Sequence, residues 1–161
     1  MAKIARKYLA HFIDANFGSG TANYVRLGKD LEELNEDLSP DVETGKNILG
    51  ESTVQHNGYE VQSEVDPFYA DPDDDLYEPI AEIANERKTG AACETTKVDV
   101  LYNEDGSVEW AYKEDVVVVP TSIGGDTSGV QIPFTIYNRG NRVKGTFSNG
   151  AFTAASSGSG G

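Results

Sequence analysis

Apolar and polar residues alternate with a period of two along most of this chain, and a period near 3.6 is clear in one place. The first alternates cover Tyr8–Asp14 and Tyr24–Leu27, separated by the breaker Phe17-Gly18-Ser19-Gly20, and predict two strands. The next stretch is ambiguous. Leu31, Leu34 and Leu38 fall at helical spacing, and Asp30 with Glu33 matches a capping box. Read as a strand, the same stretch puts Leu34 and Leu38 on one face with Glu32 and Glu36, so local reasoning favours a helix. Ser39-Pro40-Asp41 then turns the chain into an extended Val42–Gly50, with Thr44, Lys46 and Ile48 on one face. Thr53–Val65 is again β-like, and Asn57-Gly58 within it fits either a hairpin turn or a bulge.

The helix is predicted over residues 73–88. Leu76, Ile80, Ile83 and Ala84 make its apolar stripe, and Gly90 closes it. Pro79 belongs in a first turn, where a missing N–H costs least, which sets the regular start near Asp75–Tyr77. The remainder, residues 97–154, reads as strands. Val98, Val100 and Tyr102 share a face of Lys97–Tyr102, and Asn103-Glu104-Asp105-Gly106 forms a turn. Ser107–Val119 follows and ends in Val116–Val119, a run expected to be buried on both sides. Thr121–Gly129 is a loop. Val130, Ile132, Phe134 and Ile136 share a face of Val130–Asn138, where Pro133 marks an edge or a bulge. Asn138-Arg139-Gly140-Asn141 is predicted to turn the chain into Arg142–Phe147, and Asn149-Gly150 to turn it again. One domain, residues 1–154, is expected: an N-terminal arm and first strand (1–20), the helix and the C-terminal strands, to which the resemblance described below adds a hairpin (30–51). Residues 155–161 are a Gly/Ser tail. The class is mainly β (α+β).

Charge sharpens this picture. The net charge is −14 over 161 residues, and it is concentrated: residues 30–86 hold eighteen Asp or Glu against the single cation Lys46. Nucleic-acid binders displace counterions from phosphates with clustered Lys and Arg, so this chain is suited to repelling DNA. The lone cysteine, Cys93, excludes an internal disulfide framework. No apolar run approaches the ~20 residues of a membrane helix, and the N-terminal Lys3, Arg6 and Lys7 precede no clear signal sequence.

Catalytic signatures are missing. The sequence has no Walker loop, HExxH, GxSxG or cysteine pair. His11 and His56 lie in predicted strands and read as surface or hydrogen-bonded structural residues. Asp71, Asp73 and Asp75, with Glu82 at the twelfth position, have the spacing of a calcium loop. Leu76 stands where that loop requires Gly, however, and Pro79 interrupts it, so the same carboxylates read better as the start of a helix, at the positive end of its dipole. Gly124–Gly129 lacks the following helix of a phosphate cradle. No enzymatic activity and no cofactor are expected. Arg139, Arg142 and Lys144 fall on one predicted hairpin and suit contacts with an acidic surface of another copy.

Several segments together resemble the tail tube (major tail) proteins of tailed phages and prophages of Gram-positive hosts: Tyr24–Gly28 leading into Leu31–Leu38, Ser39–Thr44, Asn47–Glu51, Pro67–Pro72, and Gly124–Phe134 before the last strands. The resemblance spans roughly residues 6–147. It implies an antiparallel β-sandwich or barrel-like domain with one flanking helix, and six copies closing into a ring, with rings stacked around a channel for DNA. It also implies that Leu31–Leu38 is a strand paired with Val42–Gly50 across Ser39–Asp41, a long hairpin contributing to a ring-wide barrel. Glu32, Glu33, Glu36, Asp37 and Glu43 would then face the lumen, and double-stranded DNA would pass without specific binding. Further partners implied are tape measure, tail terminator and distal tail proteins, with assembly in the host cytoplasm and a final place in the virion tail. Two rival readings stand beside it: the tube of a contractile injection machine or a head decoration protein, and a monomeric β-sandwich binding calcium or carbohydrate.

Overall fold

The computed structural model describes residues 3–17, 20–28, 34–148 and 150–155. In chain order the elements are β1 (Leu9–Asp14), β2 (Tyr24–Arg26), β3 (Glu36–Asp37), β4 (Pro40–Lys46), β5 (Ser52–Tyr59), β6 (Gln62–Val65) and α1 (Tyr77–Glu86). They continue with β7 (Glu94–Tyr102), β8 (Val108–Pro120), β9 (Gly124–Asp126), β10 (Gly129–Gln131), β11 (Phe134–Ser148) and β12 (Ala151–Ala154). An antiparallel sheet runs β2-β1-β7-β8-β11-β6-β3, with β12 added beside β11; β4-β5 and β9-β10 are separate two-stranded ribbons. This is the mainly β, barrel-like α+β class.

The sheet curls until the β3 edge lies back against the β1 and β7 side. Arg6, just before β1, donates to the Leu34 carbonyl, just before β3, at 2.9 Å, and Lys97 of β7 reaches Glu36 of β3 at 3.1 Å. Curling buries both faces of the central strands. On one face Ile13, Val116, Val118, Phe134 and Ile136 pack with Leu76, just before α1, and Ile80 of α1. On the other, Val98, Val100, Ala111 and Phe147 pack with Phe12, Tyr24 and Phe152. Each fully buried large aliphatic or aromatic side chain contributes about 1.5–3 kcal/mol.

The helix starts at Tyr77 with Pro79 in its first turn, and the Asp cluster builds the chain leading into it. Asp71 and Asp74 side chains accept from the Asp73 and Leu76 amides, each at 2.9 Å. The helix ends earlier than expected, because Arg87 adopts the left-handed conformation (φ 52°) and its amide bonds back to Ile83.

Several sequence expectations are changed or resolved. The hairpin is formed by β4 and β5, turning at residues 47–51, and not by Leu31–Leu38 with Val42–Gly50; Glu36-Asp37 pairs instead with Ser63-Gln62 of β6. The proposed capping pair Asp30 and Glu33 lies outside the described residues. Asn57-Gly58 is the bulge alternative, since the register slips between Asp41 and Val42 and Gly58 has φ 130°. Asn138–Asn141 does not turn the chain: β11 runs through it, absorbing two register shifts against β8, with Gly140 and Asn141 at positive φ. Finally, Val116–Val119 is not buried on both sides, because Val119 is 38% exposed where β8 outruns its cover. Pro133 divides the predicted Val130–Asn138 strand into β10 and β11.

Candidate functional site: an exposed arm and a buried ionic layer

The β4-β5 arm stands off the body. Every residue of β4 is exposed, as is all of β5 except Gly58. Cross-strand register makes it two-faced. Val42 sits opposite His56 and Thr44 opposite Val54, so these share one side with the pair Pro40 and Tyr59; Glu43 sits opposite Gln55 on the other side, with Asp41. The first side is apolar and solvent-facing: Val54 is 72% exposed and Tyr59 59%. Such a ribbon has no core of its own, and an isolated two-stranded hairpin is marginal in water.

Its tip is locked. Asn47 Oδ1 accepts from the Leu49 and Glu51 amides at 2.9 and 3.0 Å, and its Nδ2 donates to Glu51 at 2.9 Å. The backbone adds Asn47 N to Glu51 O and Gly50 N to Asn47 O, both 3.1 Å. The loop's polar groups are thus turned on themselves, while Ile48 is fully exposed and Leu49 is 78% exposed.

Inside the curled sheet lies an ionic layer. Lys97, 1% exposed, is held by Glu36 at 3.1 Å and Asp99 at 3.7 Å. Arg142 bonds Glu114 at 2.9 Å, lies 3.5 Å from Asp99 and 3.7 Å from Glu36, and stacks over the Tyr112 ring at 4.6 Å. Asn138 donates to Glu36 and Glu114. His11 Nδ1 meets Asp99 at 2.6 Å, and its Nε2 lies 3.2 Å from Arg6 Nη2. A guanidinium can only donate, so in this contact Nε2 accepts from Arg6 and Nδ1 donates to Asp99. Three carboxylates face two cations. Burial pushes the Glu36 carboxyl up, and neighbouring Asp99 pushes it further. Burial also works against the Asp99 anion, but the His11 hydrogen bond and the Lys97 charge outweigh it and hold that carboxyl well below its ordinary range. Glu36 is therefore the member of the pair that takes a proton first.

His11, Glu36 and Asp99 are also the three potential metal ligands that converge among the described residues, with ligand atoms within 4.8 Å of one another. The Lys97 ammonium already lies against two of them, Glu36 at 3.1 Å and Asp99 at 3.7 Å, so the chain itself supplies a cation there. Asp71, Asp73, Asp75 and Glu82 do not converge in this way among the described residues. Asp71, Asp73 and Asp74 serve the turns before the helix, Asp75 accepts from Asn23 at 3.1 Å, and Glu82 pairs with Lys88 at 2.8 Å. Cys93 is buried, donates to the Lys88 carbonyl, and has its thiol pushed up by burial, the opposite of an activated nucleophile.

The other sequence candidates divide. Glu36 turns inward to Lys97, which corrects its expected lumen position; Asp37 and Glu43 are exposed, and Glu32 and Glu33 lie outside the described residues. Arg139, Arg142 and Lys144 lie along β11 and not on a hairpin of their own. Arg142 is committed to the ionic layer, Arg139 pairs with Glu94 at 2.8 Å, and Lys144 is exposed. Sequence reasoning missed Lys97 and Asp99 because they alternate with Val98 and Val100, the signature of a solvent face.

Comparison with known proteins places the fold. No protein-family model matches the chain, and no curated protein matches it in sequence. Among solved structures, the cryo-EM structure of the tube-terminating cap of the anti-feeding prophage superposes with a TM-score of 0.51 over 91% of this chain and 93% of that one. The fold resembles that of injection-machine tube caps. Identity is 11% in that pair. The sheath/tube terminator of the PVC extracellular contractile injection system, in its extended state, also gives a TM-score of 0.51, at 9% identity over 89% of this chain and 97% of that one. At these identities the likeness concerns the fold.

Proposed function

We propose that this chain is a structural, non-enzymatic subunit of a phage-like tail, whose copies close into a ring around a channel at or near the end of a tube. The observation that carries the reading is the two-faced arm. It presents apolar side chains to water and, among the described residues, leaves one unpaired edge on each of β4 and β5. Unpaired edges and exposed apolar strips are stabilised when copies supply the missing neighbours. In a ring, arms lie edge to edge, with the Val42, Val54 and Tyr59 side against the bodies and the Asp41 and Glu43 side toward the channel. Such a lining repels phosphates, so DNA or another polyanionic cargo slides without adhering.

The fold likeness to two terminator proteins of contractile systems favours this reading over a calcium- or carbohydrate-binding module. It also shifts the emphasis from a major tail protein of Gram-positive phages toward a tube or tube-end subunit of a contractile machine. Partners in this reading are further copies of the chain and the adjoining tail proteins. Negative-stain microscopy and light scattering of concentrated protein test it. Stacked hollow tubes identify a tube subunit, isolated rings a terminator, and a monomer at all concentrations refutes the proposal.

A further inference from the structure

The locked tip of the arm is shaped like one half of a joint, and the body carries a groove that fits as the other half. The groove, about 640 Å³, lies between the end of α1 and the end of β8, where Ile83, Val117, Val119 and Ile123 contribute apolar wall and Arg87 and Lys88 the basic part. Val119 and Ile123 are 38% and 49% exposed. Resting on the ring assembly proposed above, we infer that Ile48 and Leu49 of one copy seat in this groove of the next.

Three observations select a second copy as the occupant. The tip residues are aliphatic, and so is the groove wall. Beside the tip Glu51 is exposed, and at the groove's edge Arg87 is exposed while Lys88 is already paired with Glu82; the opposite charges of Glu51 and Arg87 set the register of the pairing. And the Asn47 hydrogen bonds hold the loop in one shape before contact, so little conformational freedom is lost when it docks. A lipid surface is the poorer occupant, because an acidic arm on a chain of charge −14 is repelled by anionic headgroups. Tip and groove are different patches, so the contact is heterologous and propagates around a ring.

The test uses two separately purified full-length variants, Leu49→Cys and Ile123→Cys, each also carrying Cys93→Ala. Mixed under mild oxidation at assembling concentration, they should form disulfide-linked dimers absent from either variant alone. In the chain with its own Cys93, Leu49→Asp should leave the melting temperature unchanged and abolish assembly. Assembly that persists in Leu49→Asp, or assembled mixtures without the cross-link, overturns the tip-to-groove pairing while leaving the ring reading standing. Failure of the unsubstituted chain to assemble removes both. Sedimentation of the protein with phosphatidylcholine vesicles, lost in Leu49→Asp, would assign the tip to a lipid surface and overturn the pairing.

Discussion

Replacing Lys97 with Met should be among the most damaging single changes in this protein. The methylene stem and the volume survive, but the ammonium is lost from a site where the side chain is 1% exposed. Asp99, whose side chain is 3% exposed, then keeps its His11 hydrogen bond and the 3.5 Å approach of Arg142, while Glu36 keeps only Asn138 and the longer approach of Arg142. Removing one partner of a buried ion pair typically costs about 3–5 kcal/mol. Glu36 is 17% exposed and already biased toward its neutral form, so it can relieve part of the strain by taking a proton. The low end, about 3 kcal/mol, follows; for a domain of this size that lowers Tm by roughly 6–12 °C. Urea unfolding at pH 7 reads it directly, as a lower midpoint at constant slope. The deficit should narrow as pH falls, because the unpaired carboxylates of the variant accept protons more readily than those of the parent. A loss under about 1 kcal/mol at pH 7, or one independent of pH, would refute the buried ionic layer.

Other outcomes follow from the same geometry. Glu36 has its pKa raised on folding, so its contribution is fully present below its unfolded value, about 4.3, and is lost as pH rises through the folded one. Asp99 is depressed and acts in the opposite sense, losing its contribution only in stronger acid. Glu36→Gln should therefore flatten the stability profile above about pH 4.3, measured by urea titration at several pH values; an unchanged slope would show that Glu36 is not the proton acceptor. Arg142→Glu should lower the Tm of the isolated monomer, since Arg142 serves Glu114 and Asp99 within the chain; loss of assembly at unchanged Tm would return it to an intersubunit role. Gly145→Ala should destabilise by about 1–3 kcal/mol, because its Cβ would stand 2.2 Å from the Thr153 carbonyl oxygen, a backbone atom of the paired strand; thermal melting checks it. Replacing residues 41–58 with a short Gly/Ser linker should leave the body's unfolding transition intact and eliminate higher-order species in light scattering.

What the sequence made legible was whatever depends on neighbours along the chain. The helix stripe and Pro79 located α1, and the alternation of Val98 and Val100 located β7. The arm was misplaced because its turn is set by one side chain: Asn47 closes residues 47–51 by itself, a stronger device than the Ser39-Pro40-Asp41 bend. The ionic layer was hidden for a different reason. Its members run from Arg6 to Arg142, and the face that Lys97 and Asp99 share is buried only because the sheet curls β3 back over β7. Alternation reports which residues share a face and is silent on what lies across from it.

The separation of arm from body also has a genetic consequence. Neither β4 nor β5 contributes a buried residue, so damage to the arm leaves a folded, long-lived subunit. Such a subunit has lost the half of the joint with which it reaches forward but keeps the half that receives. Expressed beside the intact chain, it would accept a neighbour and offer none, ending each assembly it joined. Tip variants should therefore act as dominant poisons, whereas variants of the ionic layer, which lower the stability of the subunit itself, should be recessive.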